Sequence, residues 1–353
     1  MKKFTVFSGF LGSGKTTAMM ALTQYYTEHF AKAAMISNDL GHGVNLADNR
    51  FAQLSGCNAS EMTEECICYQ NEALAERLNS YYDSGCELIM SDIPGFGVGA
   101  LEHVYHGLTA KFPGQFELAP FTVMTEPRIV ELLRGGTAGD LEYIYDTQLE
   151  EADLIVLNKC DLISDGKKAE YAAWLSEHYL HARIICISAL RGEGMEELSL
   201  ALKNGKASMR RPDIGYGGNA FMNAMGQMSE YYLQYHATVC CNDFDGTAYL
   251  RSIAEKVRDD ARDAGREVPH LKLLAWEPEG DFGKVDLIGT DRDIEVNHDF
   301  ARPCTQIAVV INASAVCPAE ELDSILTQAV KGISNEYQLE LIVYKTECFG
   351  MGG

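Results

Sequence analysis

Short apolar runs alternate with amphipathic stretches along the first two-thirds of the chain. Phe4-Thr5-Val6-Phe7, Ala33 to Ser37, Glu87 to Asp92, Phe121 to Met124, Asp153 to Leu157 and Ile184 to Ile187 each have the length and continuity of a strand buried on both faces. The stretches between them carry helical spacing: Thr16 to about Phe30, Gln70 to Tyr82 with Ala73, Leu74, Leu78 and Tyr81 on one side, Ile129 to Leu133, Leu141 to Leu149, and a run opening at Gly194. Strands alternating with helices predict an α/β domain with a mostly parallel sheet, spanning residues 1–204.

Residues 205–233 break the rhythm. Asn204-Gly205-Lys206, Arg210-Arg211-Pro212 and Gly215-Tyr216-Gly217-Gly218 read as a linker. Met209, Met222, Met225 and Met228 fall near this segment, and the last three share one face if the segment is helical; packing is the expected use. Beyond it, residues 234–353 predict a smaller α+β domain: a strand from His236 to Cys241, a helix from Thr247 to Ala264, a hairpin of Leu271–Trp276 with Val285–Gly289, a strand from Gln306 to Ile311, a helix from Ala319 to Ile333, and a strand from Leu339 to Tyr344. That order suggests a ferredoxin-like sandwich with an added strand. Cys240 and Cys241, adjacent on a strand, would face opposite sides. The tail from Cys348 to Gly353 is expected to be mobile.

Three loops carry chemistry. Gly9-Phe10-Leu11-Gly12-Ser13-Gly14-Lys15-Thr16 is a complete G-x-x-x-x-G-K-[ST] phosphate-binding loop between a strand and a helix. Its backbone N–H groups would turn toward phosphate oxygens, Lys15 would reach the β- and γ-phosphates, and Thr16 would hold Mg²⁺. Asp92-Ile93-Pro94-Gly95 is a D-x-x-G turn at a strand end. There Asp92 would hold Mg²⁺ through water, and the Gly95 N–H would contact the γ-phosphate. Asn158-Lys159-Cys160-Asp161 is the N-K-x-D pattern, in which Asp161 accepts from the N1 and N2 donors of guanine and is left unpaired by adenine. Ser188-Ala189-Leu190 would support the same base through backbone N–H groups. These loops predict GTP and GDP as ligands, with Mg²⁺, and slow hydrolysis, because no catalytic glutamine or arginine finger can be named.

Gly9 to Thr17 and residues 148–162 resemble the CobW-type metal-chaperone GTPases, relatives of the UreG and HypB accessory proteins. The likeness covers about residues 1–204 and is weak beyond. It implies GTP hydrolysis that loads or releases a transition metal, with Zn²⁺, Co²⁺ or Ni²⁺ as candidates, or that services a metal-cofactor enzyme. It also implies a client metalloenzyme or corrinoid protein as partner, and a homodimer as one possible assembly. Two alternatives stay open: a chaperone or activator of a corrinoid protein that carries no free metal, and a non-metal switch that binds a partner in its GTP state.

The family's metal motif is Cys-x-Cys-Cys, and the matching stretch here is Glu65-Cys66-Ile67-Cys68-Tyr69, with Tyr69 in the third position. Two thiolates leave a zinc shell incomplete. Cys57, His42, a second subunit or a bound cofactor would have to supply the rest, and otherwise Cys66 and Cys68 are simply small, partly buried residues. The resemblance also makes Asp39 a candidate Mg²⁺ or metal-coupling carboxylate, although Asn38-Asp39 reads equally as a turn.

Composition narrows the class. Eleven cysteines scattered through 353 residues argue for reduced thiols over a disulfide framework. A net charge of −22 disfavours nucleic acid or an anionic membrane as partner. Met1-Lys2-Lys3 leads straight into the first strand without an apolar leader, and no apolar run approaches membrane length, so a cytoplasmic protein is expected.

Overall fold

The elements of the first part of the chain run β1 (Lys3–Ser8), α1 (Lys15–His29), β2 (Ala33–Asn38), α2 (Ala47–Leu54), β3 (Ala59–Met62), α3 (Asn71–Asp83) and β4 (Leu88–Asp92). They continue through α4 (Gly107–Lys111), β5 (Glu117–Leu118), β6 (Thr122–Thr125), α5 (Pro127–Gly135) and α6 (Glu142–Glu151). β7 (Leu154–Leu157), α7 (Asp165–His178), β8 (Arg183–Cys186), α8 (Met195–Asn204) and α9 (Asn219–Met225) complete this part of the chain. The computed structural model describes residues 2–42, 46–240 and 242–351, without the side chain of Asp140. Met1, Cys241, Gly352 and Gly353 lie outside the described residues.

All pairings in this sheet are parallel, in the order β3-β2-β4-β1-β6-β7-β8, with β5 alongside β1. Every residue of β1, β2, β4, β6 and β7 is buried, as strands covered on both faces require. The apolar face of α3 is Leu74, Ala75, Leu78 and Tyr82. Ala73 is exposed and Tyr81 only half-buried, which corrects the expected face by one residue.

The second unit follows as β9 (Met228–Val239), α10 (Gly246–Asp263), β10 (Glu267–Trp276), β11 (Phe282–Leu287), β12 (Glu295–His298), β13 (Gln306–Val316), α11 (Ala319–Glu336) and β14 (Leu339–Gly350). Its sheet is antiparallel, ordered β12-β11-β10-β13-β9-β14. β10-β13-β9-β14 with α10 and α11 is the ferredoxin-like arrangement, and the β11–β12 hairpin extends one edge by two strands where one was expected. Three local expectations change. Met228 opens β9 and is buried there, so Met222, Met225 and Met228 do not share a helix face. β9 ends at Val239, short of Cys240. The tail is strand as far as Gly350, with Cys348 donating to the Ala319 carbonyl at 3.2 Å.

By compactness the units are Met1–Leu40 with Ser55–Ala224, and Gly41–Leu54 with Met225–Gly353. The segment 205–233 is therefore not bare linker: it contains α9 and the start of β9. The segment holding α2, which chain order assigns to the nucleotide domain, packs with the second sheet. Phe51 meets Phe282 at 6.1 Å between rings, Arg50 sits over Trp276 at 5.1 Å, and Asn312 accepts from the Ala47 N–H at 2.7 Å. Buried Asp48 pairs with Lys272 and lies 3.7 Å from Lys284. Burial alone would raise its pKa, but Lys272, Lys284 and His270 outweigh that and hold the carboxyl well below the usual range.

Removing one partner of a buried ion pair costs about 3–5 kcal/mol. Asp48→Asn is expected to lower the urea stability of the second unit by that order, read from Trp276 fluorescence in a Trp174→Phe background. Because the folded pKa is depressed, the contribution is full above the unfolded carboxylate pKa and is lost as pH falls through the folded value. The gap between parent and variant is expected to narrow below about pH 4; a gap of the same size at pH 7 and pH 3 contradicts the ion-pair account.

Candidate functional site

A parallel sheet brings the carboxyl ends of its strands to one edge, and the candidate residues emerge there. The phosphate-binding loop leaves β1 through Gly9, whose φ is +126° and where a Cβ would stand 2.1 Å from the Met124 carbonyl oxygen. Gly14, at φ +87°, caps α1, and a Cβ there would strike Asn158 Nδ2 at 2.3 Å. Only glycine meets both demands. Lys15 Nζ reaches back across the loop to the Gly9 carbonyl at 2.7 Å. Ser13 and Thr16 are buried at the helix start, whereas Thr17 is exposed.

The asparagine of the N-K-x-D motif is structural as well as positional. Asn158 Nδ2 donates to the Ser13 carbonyl at 2.9 Å, and its Oδ1 accepts from the Ala189 N–H at 3.0 Å. One side chain thus joins the loops after β1, β7 and β8. The Ala189 N–H, expected to face the base, is directed to Asn158 instead. Ser188 Oγ donates to Asp161 Oδ1 at 2.7 Å, while Arg191 Nε lies 3.7 Å from the other carboxylate oxygen. Lys159 stands in the left-handed region at φ +59° and pairs with buried Glu126 at 2.8 Å. Leu190 is largely exposed.

The D-x-x-G turn is anchored from two sides. Asp92 Oδ1 accepts from the Asn38 N–H at 2.7 Å. A Cβ on Gly95 would meet Leu11 Cδ2 at 2.5 Å, so this turn lies directly against the phosphate-binding loop. From α6, Gln148 Nε2 donates to the Gly95 and Gly97 carbonyls at 3.0 and 2.9 Å. One turn later, Glu151 accepts from Gly99 and Leu101 at 2.8 and 2.9 Å. Burial pushes the Glu151 pKa up to about 7 despite those two donors.

Asn38 also ties this region to the cysteines. Its Nδ2 donates to the carbonyls of Met62 and Glu65, both at 3.0 Å, and its Oδ1 accepts at 2.9 Å from Ile67, the residue between Cys66 and Cys68. The two sulfurs are 2.8 Å apart. The hydrogen bond with Cys66, burial and the nearby Glu151 charge all raise the Cys68 pKa. Cys57 does not join them: it precedes β3 while Cys66 and Cys68 follow it, so they leave opposite ends of one strand. His42 is exposed and bonded to Glu347 at 2.9 Å, and Asp39 accepts locally from Leu40 at 2.9 Å. Among the described residues, no three His, Cys, Asp or Glu side chains converge on a point that could hold a metal ion. The donor set therefore does not fit a closed transition-metal site. Mg²⁺ is different, since one carboxylate, a hydroxyl and nucleotide phosphates suffice for it, and Asp92 and Thr16 fit that role.

Sequence reasoning missed Asn38, Glu126, Gln148 and Glu151. The last three sit on or before helices, where polar residues ordinarily face water, and only their burial marks them.

A parallel sheet with a glycine-rich loop between β1 and α1 and an N-K-x-D loop after β7 defines a P-loop nucleoside-triphosphatase fold. The nucleotide-binding domain described as CobW/HypB/UreG matches residues 3–185, and the chain belongs to that family. Solved structures similar to it include Zn(II)-bound YjiA GTPase from E. coli, at 13% identity over 93% of this chain and 98% of that one, TM-score 0.38. HypB from Helicobacter pylori in complex with nickel matches at 16% identity over 58% and 89%, TM-score 0.41. HypB from Archaeoglobus fulgidus matches at 21% identity over 57% and 89%, TM-score 0.38. No curated protein matches significantly.

Asn38→Ala strips three hydrogen bonds from the cysteine loop, at a cost of about 1–3 kcal/mol for each buried group left unsatisfied. Site-resolved alkylation is expected to label Cys66 and Cys68 about tenfold faster in the variant. Unchanged labelling would show that the loop is held by something other than Asn38.

Proposed function

We propose that this protein is a Mg²⁺-dependent GTPase whose nucleotide cycle services a metal- or metal-cofactor-containing client. The observation that carries the reading is the Asn158 staple, which draws the phosphate-binding loop, the N-K-x-D loop and the Ser188 turn around one position. Lys15 and the amides of Gly12, Ser13 and Gly14 bind the phosphates, Thr16 and Asp92 hold Mg²⁺, and Gly95 senses the γ-phosphate. Asp161, oriented by Ser188, accepts from the guanine edge, with Lys159 held alongside by Glu126. Mg²⁺ supplies charge neutralisation on the phosphates during transfer to water. Metal handling by the family supports the choice of client class, a metalloenzyme or a corrinoid protein. Cys66 and Cys68 do not complete a transition-metal shell by themselves, so no step is assigned to such a metal. The same shortage of donors favours, as a second reading, a switch that grips its partner in one nucleotide state without carrying metal.

Removing one preorganised charge-stabilising donor typically costs 10²–10³ in rate. Lys15→Ala is expected to lower GTP turnover by about that factor, measured as phosphate release from GTP and from ATP at equal Mg²⁺. The parent is expected to favour GTP. Activity that survives Lys15→Ala in homogeneous protein would place hydrolysis outside this loop.

A further inference from the structure

The variable position of the N-K-x-D motif is a cysteine, and the fold gives it a partner. Cys160 follows Lys159 in a 3₁₀ turn, where its N–H donates to the Ile187 carbonyl at 3.1 Å and its Sγ to the Leu157 carbonyl at 3.2 Å. Parallel pairing of β7 with β8 sets Leu157 opposite Cys186. The Leu157 carbonyl that Cys160 Sγ contacts also accepts from the Ile187 N–H at 2.8 Å, so the Cys160 thiol lies beside the Cys186–Ile187 backbone, although 25 residues of chain lie between the two cysteines. Cys160 is buried and Cys186 partly exposed. Their positions are not neutral ones: Cys160 immediately precedes Asp161, and Cys186 stands two residues before Ser188, whose hydroxyl orients the Asp161 carboxylate.

We propose that Cys160 and Cys186 form a reversible disulfide, with hydrogen peroxide as oxidant, that weakens guanine-nucleotide binding by displacing the Asp161 loop. The two sulfurs are unequal. The neighbouring Cys160 thiol lowers the Cys186 pKa, burial opposes that, Lys168 adds to the lowering and Glu197 works against it. The nearby Cys186 thiol and burial hold the proton on Cys160. Cys186, the more exposed and more acidic thiol, is therefore the attacking group. Its thiolate attacks one peroxide oxygen and the O–O bond breaks; the sulfenic acid forms, and the departing hydroxide takes up a proton as water. The Cys160 sulfur, losing its proton, then attacks the Cys186 sulfur. The S–S bond forms, the S–O bond breaks, and a second water leaves. Two thiols have given two electrons and two protons to one peroxide, and a dithiol reverses the reaction by exchange.

Bond formation replaces the Cys160 bond to the Leu157 carbonyl and draws the turn that carries Asp161 toward β8. A displacement of about 1 Å at a recognition group is worth orders of magnitude in function, so a loss of about tenfold or more in GDP affinity is expected. This consequence rests on the guanine-site reading; the disulfide does not.

The test uses the full-length protein, reduced and then treated with hydrogen peroxide. Trypsin releases Cys160–Lys167 and Ile184–Arg191, which mass spectrometry sees as one linked species if the bond has formed. Mant-GDP affinity is measured before oxidation, after it, and after dithiothreitol. The expected result is the linked species together with a loss of affinity that dithiothreitol restores. Cys186→Ser is expected to keep the parent affinity and lose the response. Oxidation elsewhere without the 160–186 linkage overturns the proposal, and so does the linkage with affinity unchanged. A reduced protein that binds no guanine nucleotide yet forms the linkage supports the disulfide and strikes the base-recognition reading instead.

Discussion

A parallel sheet delivers the carboxyl ends of all its strands to one edge, and the backbone leaving that edge must find hydrogen-bond partners among the loops themselves. Two asparagine side chains meet part of that demand here. Asn158 bridges the Ser13 carbonyl and the Ala189 N–H. Asn38 bridges the carbonyls of Met62 and Glu65 and the Ile67 N–H. An amide is suited to the task because it donates and accepts from one planar group. Aspartate at either position could make only the accepting half and would bury a charge. Each loop is thereby placed by another loop, which is how residues from distant parts of the chain come to share one site.

The same economy links the site's two halves. The Asn38 backbone N–H donates to Asp92 while its side chain grips the turn between Cys66 and Cys68. A change in Asp92 position therefore has a short covalent and hydrogen-bonded path to the cysteine loop. On the other side, Gln148 and Glu151 hold four residues of the Gly95–Leu101 segment from a single helix. A carboxylate buried at that place is less stable than it would be in water.

Most of the fold is legible in the sequence because its strands are continuous apolar runs and its loops carry glycines at fixed offsets. Lys3–Ser8, Ala33–Asn38 and Leu88–Asp92 are buried throughout, and no other element type accounts for such runs between turn signals. Legibility fails where burial is decided by residues far away in the chain. Asp48 reads as a solvated helix residue until Lys272 and Lys284 are brought beside it, more than two hundred positions later. Met228 reads as helical from its spacing with Met222 and Met225, but the pairing of β9 with β13 and β14 overrides that local period. Cys57 looks near Cys66 in sequence, and four strand residues put it at the other end of β3. The nucleotide motifs were legible for the opposite reason: their chemistry is carried by contiguous residues, so their geometry is local.

The central claim is that the edge formed by the Gly9, Asn158 and Ser188 loops recognises guanine through Asp161. It is tested most directly by equilibrium competition of GDP, ADP and XDP on the parent and on Asp161→Asn. The parent must prefer GDP over ADP by a factor of about 10² or more, because adenine offers the Asp161 carboxylate neither an N1–H nor a 2-amino donor. Asp161→Asn must lose that preference and gain affinity for XDP, whose 2-oxo group matches an amide donor. Equal binding of GDP and ADP by the parent, or an unchanged GDP preference in Asp161→Asn, would contradict the claim.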